Sequence, residues 1–170
     1  MPPQLTDKLE YRVGIISDTH GHLCQTATKQ LGNVDLIIHA GDIDSPRLLP
    51  LLERIAPLVA VRGNMDFGSW ATDLSETETI QVGRTWIHMR HDLSRLDLLP
   101  ESAGFGVVIS GHTHRSQLSK RNGTLYINPG SATYPRHPAP ASMAFLRVRG
   151  KKTEAWFINL DSGKSSDAPL

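Results

Sequence analysis

The chain has 170 residues, a formal net charge of +1, 39% hydrophobic and 21% charged residues, which is enough to close a hydrophobic core and too apolar for a disordered chain. No apolar run approaches the ~20 residues that span a bilayer, and residues 1–12 lack the apolar stretch of a secretory signal. The single cysteine, Cys24, excludes an intrachain disulfide, and the near-zero charge leaves no electrostatic footprint for nucleic acid; a cytoplasmic protein is expected.

In chain order, RVGIIS (12–17) is a short apolar run and reads as a buried strand. Residues 21–32 have a helix-compatible composition and end at Gly32-Asn33, where Gly32 suits a C-terminal cap. VDLIIHA (34–40) is a second buried strand. Ser45-Pro46 is expected to open a helix to about Ile55, with Ser45 as N-cap and Pro46 at the first helical position. PLVAVR (57–62) is a third strand, and the β-α-β-α-β order predicts parallel strands with helical crossovers.

The second half alternates differently. Residues 79–82 and 85–89 predict a hairpin around Gly83-Arg84. Residues 93–100 predict a short helix, and GVVIS (106–110) another buried strand. Residues 117–121 and 124–128 pair around Asn122-Gly123, a strong hairpin signal. Residues 144–148 and 153–159 form a last hairpin, whose basic turn Arg147 to Lys152 reads as solvated strand ends. No repeat or linker is visible, so residues 1–160 are expected to form one domain. Residues 161–170, rich in Ser, Asp, Gly and Pro, are expected to be a disordered tail.

One arrangement recurs along this chain: an apolar strand stops and a metal-capable residue follows. The strands lead into Asp18-Thr19-His20, Gly41-Asp42, Gly63-Asn64-Met65-Asp66, His91-Asp92 and Gly111-His112-Thr113-His114. The carboxyl ends of strands in open α/β sheets are where ligands bind, so these five clusters can converge on one crevice. Each alone has a plain reading, as a helix cap, a turn residue or a partly buried histidine. His112 and His114, two apart in a loop after a buried strand, are the hardest to explain that way.

Asp18, His20, Asp42, Asn64, His91, His112 and His114 offer oxygen and imidazole nitrogen without thiolate. That set suits Mn2+, Fe2+, Zn2+, Ni2+ or Co2+ and disfavours a structural thiolate zinc site. Seven ligands are too many for one tetrahedral ion and natural for two ions sharing a carboxylate. Ions about 3.5–4 Å apart suit in-line displacement at phosphorus.

In order, D-x-H (Asp18, His20), G-D (Gly41, Asp42), G-N-x-D (Gly63 to Asp66), a histidine after a strand (His91) and G-H-T-H (Gly111 to His114) resemble the calcineurin-like metallophosphoesterases. The small size and N-P-G-S (Asn128 to Ser131) are similar to the compact prokaryotic branch of small phosphodiesterases. The resemblance implies an α/β fold, a four-layer α/β/β/α sandwich of two packed mixed sheets with flanking helices. It implies that Asp18, His20 and His114 hold one ion, that Asn64, His91 and His112 hold the other, and that Asp42 bridges them. Asp42, Asn64 and His112 are then the candidate catalytic positions, and a metal-bridging hydroxide attacks the phosphorus of a phosphodiester. Manganese is the first expectation for both ions, with nickel, iron, cobalt and zinc as alternatives. The implied partner is a small phosphodiester or other phosphorylated substrate, and a homo-oligomer is compatible with the sequence. Phosphomonoesterase, nuclease and metal-binding interaction scaffold are the alternative functions.

Two positions depart from the family pattern. Met65 stands where many relatives carry a histidine that can protonate the leaving group, and a thioether cannot donate a proton. His22 and His39 are substitutes to consider, although His39 lies in a buried-strand pattern. Asp92 stands where glycine commonly follows the ligand histidine. Asp tolerates positive φ, and its carboxylate adds negative charge that disfavours a dianionic monoester relative to a monoanionic diester. Trp70, Trp86, Phe105 and Tyr134 could frame a substrate but read as packing residues. Specificity is expected in the loops at 66–78 and 133–141.

Overall fold

The computed structural model describes residues 4–166. The first half contains β1 (Tyr11–Ile16), α1 (Gln25–Leu31), β2 (Leu36–His39), α2 (Leu48–Glu53) and β3 (Leu58–Ala60). Then follow β4 (Thr77–Val82), β5 (Thr85–Arg90), β6 (Val107–Ile109), β7 (Ser116–Arg121), β8 (Thr124–Pro129), β9 (Ser142–Arg149) and β10 (Lys152–Asn159). The strands form two five-stranded sheets, ordered β10-β9-β1-β2-β3 and β4-β5-β6-β8-β7. Both are mixed. β1, β2 and β3 are parallel, as are β5, β6 and β8, while hairpin strands close the remaining edges antiparallel.

The sheets pack face to face through Val13, Ile15, Leu36, Ile38 and Leu146 on one side and Ile87, Met89, Val107, Ile109 and Ile127 on the other. The opposite face of the first sheet buries Ile37 and Phe145 against Leu31 of α1 and Leu48 and Leu52 of α2. β1 and β2 are therefore covered on both faces, which is why they read as unbroken apolar runs rather than as alternating ones. The outer face of the second sheet is covered by the segment 93–105, where Phe105 lies 5.1 Å from the His88 ring and Tyr126 donates to Glu101 at 2.9 Å.

Several expected boundaries move. The helix expected over 21–32 begins only at Gln25, capped by the Cys24 sulfur, and Gly32 ends it at φ −63 rather than in the left-handed region. The helix expected from Ser45 begins at Leu48 without a side-chain cap, because residues 42–45 turn through left-handed Asp42 and Asp44. The helix expected over 93–100 is a single 3-10 turn at Leu93–Arg95. There Asp92 accepts both the backbone N–H and the hydroxyl of Ser94, local bonds that compete with a helical ladder. An unanticipated 3-10 turn spans Ser69–Asp73.

Residues 161–166, expected as tail, fold back on β10. Asn159 Oδ1 accepts from the N–H groups of Asp161 and Ser162, and Asn159 N–H donates to Lys164 at 2.8 Å. Ser165 then bridges Ile158. The remainder of that expectation, 167–170, lies outside the described residues. Among the described residues no helix is long and apolar enough to cross a membrane.

Candidate metal centre

The parallel strands of both sheets deliver their carboxyl ends to one edge of the sandwich. All seven candidate ligands stand there, one to four residues beyond β1 to β3 or β5, or in the loop after β6. Ligating atoms of Asp18, His20, Asp42 and His114 lie within 4.8 Å of one another. His114 Nε2 is 3.2 Å from Asp18 Oδ1 and 3.4 Å from His20 Nε2. Beside them, Asn64 Oδ1 lies 3.1 Å from His91 Nε2 and 2.9 Å from His112 Nδ1. Asp42 touches both groups, with Oδ2 3.3 Å from His91 Nε2. His112 and His114 thus face different halves of the cluster.

The ring orientations are set from behind. His91 Nδ1–H donates to the Ala40 carbonyl at 2.6 Å, His114 Nδ1–H to the Tyr134 carbonyl at 2.5 Å, and His20 Nδ1–H to Asp44 Oδ2 at 2.6 Å. Such partners fix the tautomer and leave each Nε2 lone pair turned into the cluster. Two of those lone pairs, on His20 and His114, face each other. Asp18 Oδ1 beside them is fully buried and has no hydrogen-bond partner. Facing lone pairs and an orphaned carboxylate oxygen are unfavourable unless a cation lies between them, so the residues present fit a metal ion.

The backbone is strained to make this arrangement. Asp18, His20, Asp42, Asp44, His112 and His114 all adopt positive φ, between 46 and 70, a conformation that costs a non-glycine residue on the order of 1–3 kcal/mol. Cross-links hold it. The buried Asp66 carboxylate accepts four backbone N–H groups, from Asp42, Ile43, Asp44 and Gly63, at 2.7–3.1 Å. Asn128 donates to the Gly111 carbonyl at 2.7 Å, and Ser131 to the Asp18 carbonyl at 2.8 Å. Gly63 is required by close approach, since a Cβ there would overlap the Asp42 carboxylate.

Burial pushes the Asp18 carboxyl above the usual carboxylate range, against the pull of His91 and His114. Burial acts the same way on Asp42, but the hydrogen bond and charge of His91 and the Met65 N–H outweigh it and hold Asp42 low. Burial lowers His91, and its bond to Asp42 with the charges of Asp42 and Asp18 reverses the shift and raises it.

Other sequence-predicted residues divide clearly. His39 is fully buried, its Nε2 is 2.8 Å from Thr19 Oγ1, and desolvation lowers its pKa to about 3, so it is a neutral structural residue. Met65 is 44% exposed. Asp92 has φ −100, so its position needs no left-handed conformation and the expected reason for glycine does not apply. Its carboxylate does lie near the site, with Oδ2 4.0 Å from His112 Nε2. Of the four aromatics, Tyr134 lies at the centre, 5.5 Å from the His20 ring, while Trp70 and Phe105 pack elsewhere and Trp86 projects from β5. Sequence reasoning missed the orienting roles of Asp44 and Asp66, whose only signals are the D-x-D spacing from Asp42 and the last position of G-N-x-D. A cleft of about 330 Å3 opens beside Asn64, His91 and His112.

Comparison with known proteins gives a consistent picture. The model of the calcineurin-like phosphoesterase superfamily domain matches residues 11–151. A probable metallophosphoesterase of Methanothermobacter thermautotrophicus is 37% identical over 157 residues, 86% of this chain and 91% of that protein. A phosphodiesterase of Methanocaldococcus jannaschii is 31% identical, over 70% of this chain and 82% of its own length. Among solved structures, vacuolar protein sorting 29 of Cryptosporidium parvum superposes with a TM-score of 0.79 at 21% identity, covering 96% of this chain and 98% of its own, a likeness of fold.

Proposed function

The chain belongs to the calcineurin-like phosphoesterase superfamily, in its small prokaryotic and archaeal branch, and from that premise we propose that it hydrolyses phosphodiesters at a pair of divalent metal ions. Asp18, His20 and His114 would hold one ion, Asn64, His91 and His112 the other, and Asp42 both. The observation that carries this reading is the orphaned oxygen of Asp18 set among imidazole lone pairs at the strand ends. Bound there, the ions supply Lewis acidity, lowering the pKa of water and neutralising charge on the phosphoryl oxygens.

The chain's own contribution is orientation. Ala40, Asp44 and Tyr134 hold three imidazoles in the ligating tautomer. Asp66 locks the loops that carry Asp42 and Asn64 to each other, so the two halves of the site keep their spacing. Met65 offers the leaving group no proton, which favours substrates with good leaving groups. The Asp92 carboxylate beside His112 adds negative charge on one side and disfavours a dianionic phosphomonoester.

Chelator-stripped protein reloaded with manganese, and in parallel with nickel, iron, cobalt or zinc, should turn over bis-p-nitrophenyl phosphate faster than p-nitrophenyl phosphate. Faster turnover of the monoester would overturn the diester preference, and no turnover of either with any metal would overturn the reading.

A further inference from the structure

The cleft beside Asn64, His91 and His112 is lined by three arginines as well as the carboxylates of Asp66, Glu76 and Asp92, and the hydrogen bonds of the arginines are not all spent. Arg62, Arg90 and Arg95 reach it from the end of β3, the end of β5 and the 3-10 turn that follows. Arg62 is paired with Glu76 at 2.9 Å. Arg90 is different. Its side chain is only 13% exposed, yet its nearest carboxylate oxygens, on Glu76 and Asp97, are each 3.7 Å away. Among the described residues no group accepts a hydrogen bond from its guanidinium, and none pairs with Arg95. Arg90 is thus held by two long ion pairs at the rim of the cleft, and guanidinium donors without a close acceptor are free for an anion that enters it.

Asp92, at the metal end, already has one oxygen occupied by Ser94. An anion drawn to the arginines would therefore sit away from it, toward Arg90 and Arg95. Phe67, 69% exposed, presents an apolar face on the same cleft. Guanidinium forks match phosphate oxygens in geometry, and several around one space suit a dianion better than a carboxylate.

We propose that this cleft is a subsite for a second phosphate carried by the substrate, so that the substrate class is a phosphodiester bearing a further phosphate on one of its ester groups. Phe67 lies along the sugar or ring that joins the two phosphates. The inference rests on the phosphoesterase reading above.

The test compares the p-nitrophenyl ester of thymidine 5′-phosphate with and without a 3′-phosphate on metal-loaded protein, with bis-p-nitrophenyl phosphate as reference. The 3′-phosphate should raise kcat/KM by about tenfold or more, chiefly through KM, the scale of one hydrogen bond to a charged group. In Arg90→Gln and in Arg95→Gln that ratio should fall toward one. Arg95 is on the surface, so its variant keeps the test available if Arg90→Gln does not fold. Thymidine 3′,5′-bisphosphate should likewise bind more tightly than thymidine 5′-monophosphate by calorimetry, which needs no turnover. Equal kcat/KM for the two esters, or a preference that survives both substitutions, overturns the subsite while leaving the phosphoesterase reading intact. Failure to turn over even bis-p-nitrophenyl phosphate overturns both.

Discussion

The two ends of the sandwich obey different rules. At the far end, three hairpins reverse at Gly83-Arg84, Asn122-Gly123 and Gly150-Lys151. Their positive φ angles fall on Gly83, Asn122, Gly123 and Gly150, residue types that tolerate them. At the other end, positive φ falls on Asp18, His20, Asp42, Asp44, His112 and His114, and a buried carboxylate oxygen has no partner. One end is built for stability by local turn chemistry. The other is strained and held by long-range cross-links, which is where a site must lie if strain is tolerated for function.

The comparison is sharpened most by removing a cross-link. Asp66→Ala would strand four backbone N–H groups, and should cost roughly 3–5 kcal/mol in denaturant unfolding while lowering metal affinity. Stability near that of the unaltered protein would mean that the strained loops hold themselves. The next largest effect is in pH. Folded His39 titrates at about 3 against an ordinary 6.5. Between these values the unfolded chain takes up a proton that the folded chain does not, so stability falls as pH drops from about 6.5 and is fully present above it. The loss approaches ~5 kcal/mol at the acid limit. His88, also lowered by burial, adds a term of the same sign. Denaturant titrations in chelator should show a shallower pH slope for His39→Gln, and an equal slope would remove His39 from the account.

A smaller effect separates function from stability within the site. Asp18 is buried, unpartnered at Oδ1 and raised in pKa. Asp18→Asn should therefore stabilise the chelator-treated protein by roughly 1–2 kcal/mol while abolishing metal binding. Destabilisation would contradict the view that this carboxylate is poised for a cation. Smallest of all, Gly123→Ala at φ 92 should cost about 1 kcal/mol, with kcat on bis-p-nitrophenyl phosphate changed by less than about twofold. A larger loss of activity would mean that the two ends are coupled.

The same contrast decides what the amino-acid sequence disclosed. The hairpin ends were legible because Asn122-Gly123 and Gly83-Arg84 are local signals. The seven candidate ligands were legible because each interrupts an apolar run, and the structure brings all seven to one edge. Residues 21–24 and 45–47 misled the helix boundaries, since the chain leaving His20 and Asp42 is used for the site before a helix can begin. Asp44 and Asp66 were illegible as orienting residues because a carboxylate that binds distant N–H groups looks like any turn aspartate. The arginine cleft was hidden for a related reason, since Arg62, Arg90 and Arg95 meet only once the ends of β3 and β5, from opposite sheets, reach the same edge of the sandwich.

The central claim is that Asp42 joins two cation sites into one centre. Elemental analysis of chelator-stripped protein, reloaded with manganese and freed of excess, tests it most directly when run beside Asp42→Asn. Two ions per chain in the unaltered protein and fewer than two in the variant, with the fold retained by circular dichroism, is the expected result. One ion or none in the unaltered protein, or two in both, would contradict it.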